Sequence, residues 1–243
     1  MHSADQMSEA DFLAQYDASA FPSPLVTVDA VLFTYDAGTL KVLLVKRSSH
    51  PEQGKWALPG GFVDPAADRN LNDTAMRVLK AKTGVTPPYI EQLATYGDHR
   101  RDKRGWSLTV SYTALIAHQA CQSFVDSVDD VQWLALDSAQ RKALAFDHKQ
   151  LLADARERLR QKALYSIVPA YALPETFTLP ELQALHEALL GKPLPRKSFR
   201  RRIEQADLVI DTGLKRTERG RPAALYRMRE RARDFTFLRN LEA

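Results

Sequence analysis

The feature that most constrains this chain is Leu58-Pro59-Gly60-Gly61-Phe62-Val63, set between a strand pattern and a helix pattern. A proline followed by two glycines interrupts regular structure and lets the backbone approach its surroundings closely. Upstream, residues 26–33 and 41–45 have strand character, with Asp36-Ala37-Gly38 as the turn between them. Downstream, Leu71, Ala75, Val78 and Leu79 share one face of a helix over residues 71–83, and Gly84 is placed to stop it. Residues 56–62 read as a loop. Strands follow at 93–98 and 108–117 around a basic turn, 100–105, then another at 130–136 and a helix at 148–162. Strands and helices interleaved in this way predict an α+β fold.

Beyond Pro169-Ala170-Tyr171-Ala172-Leu173-Pro174 the rhythm changes. Thr178-Leu179-Pro180-Glu181 has the spacing of a capping box and opens a helix that Gly191 ends. Pro193 and Pro195 mark a short turn. A second helix from about Arg196 to Ala206 carries Phe199, Ile203 and Ala206 on one stripe. Two strands, 208–214 and 224–228, flank a basic loop at 215–222. Helix, turn, basic helix and hairpin is the order of a winged helix-turn-helix. The chain therefore divides into an arm (1–24), an α/β domain (25–150), a connecting helix and linker (151–174) and a winged-helix domain (175–243).

Charge follows the same division. From residue 170 onward there are 15 Lys/Arg against 10 Asp/Glu, whereas residues 1–169 hold 19 against 20. Positive charge gathered at one end suits a polyanionic partner. No run of apolar residues is long enough to cross a membrane, and the polar, acidic start lacks the features of a signal peptide. One cysteine, Cys121, allows no internal disulfide and suits a reducing cytoplasm. It is expected to be a packing residue.

The segment from Leu58-Pro59-Gly60-Gly61-Phe62 through Arg77 to Thr83-Gly84-Val85 resembles the Nudix box. The resemblance implies an α/β/α sandwich with a mixed sheet. In that family, glutamates on the helix hold divalent metals that bridge a diphosphate and activate water. Aligned on Arg77, Leu79, Gly84 and Val85, the glutamate positions here hold Val78, Ala81 and Lys82, and the first holds Ala67 beside Asp68. Lys80 and Lys82 bring positive charge where a cation would sit. Asp68, Asp73 and Glu52 are the available replacement acids, and none falls in register. No metal is expected.

A sandwich of this kind can still hold a nucleotide. The surroundings resemble the branch that handles ADP-ribose, and the resemblance implies a binding set of Arg47, Gly60, Gly61, Phe62, Arg77, Asp98, Arg101, Arg104, Trp106 and His148. Arginine meets phosphate oxygens bidentately, and aromatic rings stack on adenine. Plainer roles stay open for several of these residues. The stretch 100–104 can be a solvated turn, Trp106 a core residue, Arg77 a surface salt bridge and His148 a helix-start hydrogen bond.

In the second helix, Lys197, Ser198, Arg200, Arg201 and Arg202 suit a recognition helix in the major groove, or a solvated basic face. In the hairpin, Arg216, Arg219, Gly220, Arg221 and Pro222 make a basic tip. Its Arg-Gly-Arg-Pro resembles the AT-hook core that lays arginines in a narrow A·T minor groove.

Together, the degenerate box, Ala145-Phe146-Asp147-His148, Ser198-Phe199-Arg200-Arg201-Arg202-Ile203 and the Arg-Gly-Arg-Pro-Ala wing resemble the Nudix-related transcriptional regulators of NAD metabolism, the NrtR family. The resemblance implies a homodimeric repressor of NAD biosynthesis or salvage genes. It would bind an A·T-rich palindromic operator, with ADP-ribose or a related NAD derivative as effector and no cofactor. The competing reading is a divergent Nudix hydrolase acting on ADP-ribose or a nucleoside diphosphate derivative.

Overall fold

The computed structural model describes residues 7–217, 222–238 and 240–241. A seven-stranded mixed sheet organises the first two thirds. β1 (Leu25–Asp36) and β2 (Thr39–Lys46) form a hairpin, and Ala37 and Gly38, both at positive φ, make its turn. The stretch 56–62, expected as loop, contains two short strands, β3 (Trp56–Ala57) and β4 (Gly60–Phe62). They form because β2 and β1 offer them free edges: β3 pairs with β2, and β4 pairs with β1. β5 (Tyr89–Asp98), β6 (Ser107–Leu115) and β7 (Val131–Ala135) complete the sheet. Its path is β3-β2-β1-β6-β5, with β1 and β6 parallel and β7 on β2.

Alternation along β1 separates two cores. Val28, Ala30 and Leu32 face α2 (Leu71–Thr83) and α3 (His118–Val125), whereas Val31 and Phe33 face the opposite layer. Neither α3 nor the short α4 (Leu136–Arg141) is marked in the sequence pattern, and both begin at alanines without a side-chain cap. The opposite layer is α5 (His148–Tyr165), which buries Leu151, Leu152, Ala155 and Leu159. This is the expected α/β/α sandwich. Cys121 is buried, and burial pushes its thiol up to about 11, so it is a poor nucleophile.

The winged-helix domain follows as expected. Thr178 and Glu181 close a capping box on α6 (Leu179–Leu190), and Gly191 ends it at φ 70°. α7 (Arg196–Gln205) buries Phe199 and Ile203. β8 (Val209–Arg216) and β9 (Ala223–Met228) form the wing, and Phe177 pairs with Tyr226 along its inner edge.

Residues 168–174 are not an exposed tether. Val168–Ala172 forms a 3₁₀ turn, and Val168, Ala170, Ala172 and Leu173 are buried. The reason is continuity: one apolar cluster runs from Val31 and Leu115 in the sheet, through α5, to Leu182, Phe199 and Ile203. The arm is the opposite case. Its helix α1 (Glu9–Gln15) buries nothing, and Phe12, Tyr16 and Phe21 lie exposed beside one another.

Candidate functional site

A cavity of about 310 Å³ opens where β1, the β2–β3 loop, β4 and the start of α5 meet. That is within the size range of small-molecule pockets. Five cationic side chains line it, Lys46, Arg47, Lys82, Arg101 and Arg104, against two carboxylates, Asp29 and Asp102. Of the residues expected there, Arg47, Gly60, Gly61, Phe62, Arg101, Arg104 and His148 are on its wall.

The three arginines among them are held in place. Arg101 is nearly buried, and its guanidinium donates to both oxygens of Asp147 at 3.0 Å, with Asp29 at 3.5 Å. Arg104 pairs with Asp102 at 2.6 Å and lies 5.0 Å over the Phe62 ring. That pairing holds the Asp102 carboxyl below its ordinary range. Arg47 donates to the carbonyl of Pro51 and lies 4.7 Å over Phe146, whose φ is +51°. Groups of this kind, fixed by their own partners, are preorganised toward a ligand's anionic oxygens.

His148 makes the buried hydrogen bond and also lines the cavity. Its Nδ1 accepts the Leu58 N–H at 2.9 Å, and its Nε2 lies 3.5 Å from Asp29. Accepting that N–H leaves the ring proton on Nε2, and burial, which holds the ring below its ordinary pKa, favours this neutral form. Asp29 also explains Gly60. The two residues pair across β1 and β4, and a Cβ at position 60 would stand 1.9 Å from the Asp29 carboxylate.

Three expected ligand contacts lie elsewhere. Arg77 is clamped to Asp68 through two hydrogen bonds, of 2.8 and 2.6 Å, and to the Phe62 carbonyl at 3.0 Å. It ties loop to helix and is absent from the cavity wall. Asp98 accepts the backbone N–H groups of Arg100 and Arg101, shaping the turn that aims Arg101 inward. Trp106 is 52% exposed, neither core nor cavity wall, because it precedes β6 at the sheet's rim and lies over Gly97. Conversely, Asp29, Asp102, Phe146 and Asp147 belong to the site although the expected binding set omits them; Phe146 and Asp147 fall in the Ala145–His148 segment that carries the family resemblance. For Asp29 the signal is a charged residue inside the apolar run 28–33.

The residues present do not fit a divalent metal on α2. Val78 is buried, Ala81 offers no donor and Lys82 lines the cavity. The three replacement acids are each matched by a cation: Asp68 by Arg77, Asp73 by Arg69, and Glu52 by Lys55 and Lys103. Among the described residues no cluster of three His, Cys, Asp or Glu could hold an ion.

The second surface is α7 and the wing. Lys197, Arg200 and Arg201 are exposed, Ser198 and Arg202 half-buried. Arg200 pairs with Glu204 on the same helix, and Arg202 donates to the Asn240 carbonyl. Arg216 is ion-paired with Glu181 of the capping box. Pro222 is exposed. Arg219, Gly220 and Arg221 lie outside the described residues.

Two buried neutral imidazoles, His148 and His186, bear on stability. Both hold depressed pKa values, and burial is the main cause. Their contribution is complete above the ordinary value of 6.5, declines as pH falls below it, and is gone below the folded-state values. Each should cost roughly 1 kcal/mol per pH unit in that window. Thermal melts at pH 8, 6.5 and 5.5 should show a falling midpoint; an unchanged one contradicts this assignment.

Comparison with known proteins gives a consistent picture. Residues 24–155 match the NUDIX domain, and residues 169–228 match the NrtR DNA-binding winged helix domain. The ADPR responsive transcriptional repressor NtrR of Acinetobacter baylyi is 46% identical over 97% of this chain and 94% of its own length. Shewanella oneidensis NrtR in complex with a 27mer DNA superposes with a TM-score of 0.87 at 63% identity, over 89% of this chain and 99% of that one. The NUDIX domain of the same protein with ADP ribose has a TM-score of 0.59 at 57% identity, over 63% of this chain and 99% of that one.

Proposed function

The chain belongs to the NrtR family, in which a NUDIX domain is joined to a winged helix, and from that premise we propose that it is an ADP-ribose-responsive transcriptional repressor. ADP-ribose, or a related NAD derivative, occupies the cationic cavity. α7 enters the major groove and the wing follows the adjacent minor groove of an A·T-rich palindrome in NAD biosynthesis or salvage genes. Two copies acting as a homodimer in the cytoplasm read the two half-sites. The exposed aromatic residues of the arm support self-association.

The observation that carries the reading is the placement of Lys82 on the cavity wall where the Nudix pattern asks for a carboxylate. An ammonium there favours a pyrophosphate and opposes a metal, so the cavity binds without cutting. Occupancy shifts the protein from a DNA-binding arrangement to one that binds less well. A coupling of about 1–3 kcal/mol suffices to lower DNA affinity roughly 5–150-fold. The test is anisotropy of an operator duplex titrated with ADP-ribose, beside an AMP-release assay with Mg²⁺ or Mn²⁺. Loss of the complex without turnover is expected. Rapid hydrolysis, or no duplex binding at all, overturns the reading.

One consequence concerns Arg216. Glu181→Gln removes the charge that holds the guanidinium while keeping a hydrogen-bonding side chain for the cap. Arg216 is then free to meet a phosphate. The slope of log K against log salt should steepen by about 0.9. An unchanged slope would show that Arg216 serves the wing's orientation only.

A further inference from the structure

α5 joins the two candidate surfaces directly. It spans 18 residues, about 27 Å at 1.5 Å per residue. Its start belongs to the cavity: Asp147, its N-cap, holds Arg101, and His148 holds the Leu58 N–H. Its far end belongs to the winged helix. Most of the carbonyls left without helical donors there are taken up from outside the helix: Leu241 donates to Leu164, and Phe237 to Tyr165. The carbonyl of Ser166, the C-terminal cap, faces Nε2 of His186 at 3.1 Å.

His186 lies on α6, fully buried, with its ring 5.3 Å edge-on from Phe199 of α7. Its other nitrogen, Nδ1, is 2.9 Å from the Leu182 carbonyl, one turn back on its own helix. Both ring nitrogens therefore face acceptors. A neutral imidazole carries one N–H, so it can donate to only one of them at a time. Burial favours the neutral form, lowering its pKa against the pull of the two carbonyls. The ring thus has two discrete states. In one, Nε2–H ties α6 to the end of α5; in the other, Nδ1–H closes onto α6 and leaves α5 unheld.

We propose that His186 is the positioning residue that passes cavity occupancy to α7: as α5 shifts, its N–H changes from a bond to Ser166 to a bond to Leu182, one ring nitrogen taking a proton from solvent and the other returning one to it. A ligand phosphate that competes with Asp147 for Arg101 acts on the start of α5. A rigid helix carries that displacement to Ser166. A shift of a few tenths of an ångström at Ser166 decides which carbonyl is the better acceptor. Phe199, packed against the ring, places the exposed basic face of α7. This supplies what coupling between distant sites requires: a two-state element biased from both ends. It rests on the reading of the cavity as the effector site.

The experiment closes a thermodynamic square on the full-length protein. ADP-ribose affinity, operator affinity and operator affinity at saturating ADP-ribose are measured for the wild type, His186→Gln and His186→Leu. Gln keeps a donor but has no tautomers; Leu removes the donor and keeps apolar volume. In both variants ADP-ribose affinity should stay within about twofold of wild type. The ratio of operator affinities without and with ADP-ribose should fall by about fivefold or more toward one. In the wild type, ¹⁵N imidazole shifts should report a change of His186 tautomer on adding ADP-ribose, a readout that needs no variant. An unchanged ratio in a folded variant, or one tautomer throughout, overturns the relay while leaving the effector reading intact. A wild type whose DNA binding ignores ADP-ribose overturns both.

Discussion

Replacing Arg101 with leucine should destabilise the protein by about 3–5 kcal/mol, the cost of breaking a buried ion pair from one side. The Arg101 side chain is 6% exposed and the Asp29 side chain 8%, against 25% for Asp147, so of the two carboxylates left behind Asp29 is the one with little solvent to take up its charge. Asp29 and Asp147 would lose the cation between them. At roughly 2–4 °C per kcal/mol for a chain of this size, the melting midpoint should fall by about 6–20 °C. ADP-ribose affinity should fall with it, because the cavity loses a fixed donor. The double variant Asp29→Asn with Arg101→Leu removes one of the stranded charges and should recover part of the loss. A drop under about 1 kcal/mol would class the pair with surface salt bridges, and Arg101 would then be free to serve the ligand alone.

The second large effect concerns the basic helix. Lys197 and Arg201 are exposed on α7 and have no ion-pair partner among the described residues. The Lys197→Ala, Arg201→Ala double variant should lose about 2–6 kcal/mol of operator affinity if both side chains read base edges, since each such contact discriminates by about 1–3 kcal/mol. If they meet phosphates, the salt slope should instead drop by about 0.9 for each, on operator and random duplex alike. Measuring both duplexes across a salt series separates the two roles. ADP-ribose affinity should be untouched. Full operator affinity in the double variant would remove α7 from the interface.

How much of this could be read in advance depends on how local the cause is. The stop of α2 at Gly84, the capping box at Thr178 and the stripe of Phe199 and Ile203 all follow from neighbours within a turn or two, and the sequence displays them. α3 and α4 were illegible because alanine precedes each and gives no capping signal. The site is harder. Gly60 is glycine because of Asp29, which is 31 positions earlier and adjacent only through strand pairing. Arg101 finds Asp147 across the fold, 46 positions away. Arginines at 77, 101 and 104 look equivalent in one dimension, yet Asp68 draws the first out of the cavity while the other two remain on its wall.

The apolar cluster that runs unbroken from the sheet through α5 into α6 and α7 ties the stability of the sensor to that of the reader. Cutting at residue 174 would part α6 from α5 and leave oily surface on both fragments. A transplant of the DNA reader onto another sensor would have to carry α5 with it. Calorimetry of the intact chain should show one heat-absorption peak, with sensor and reader melting as a single solid.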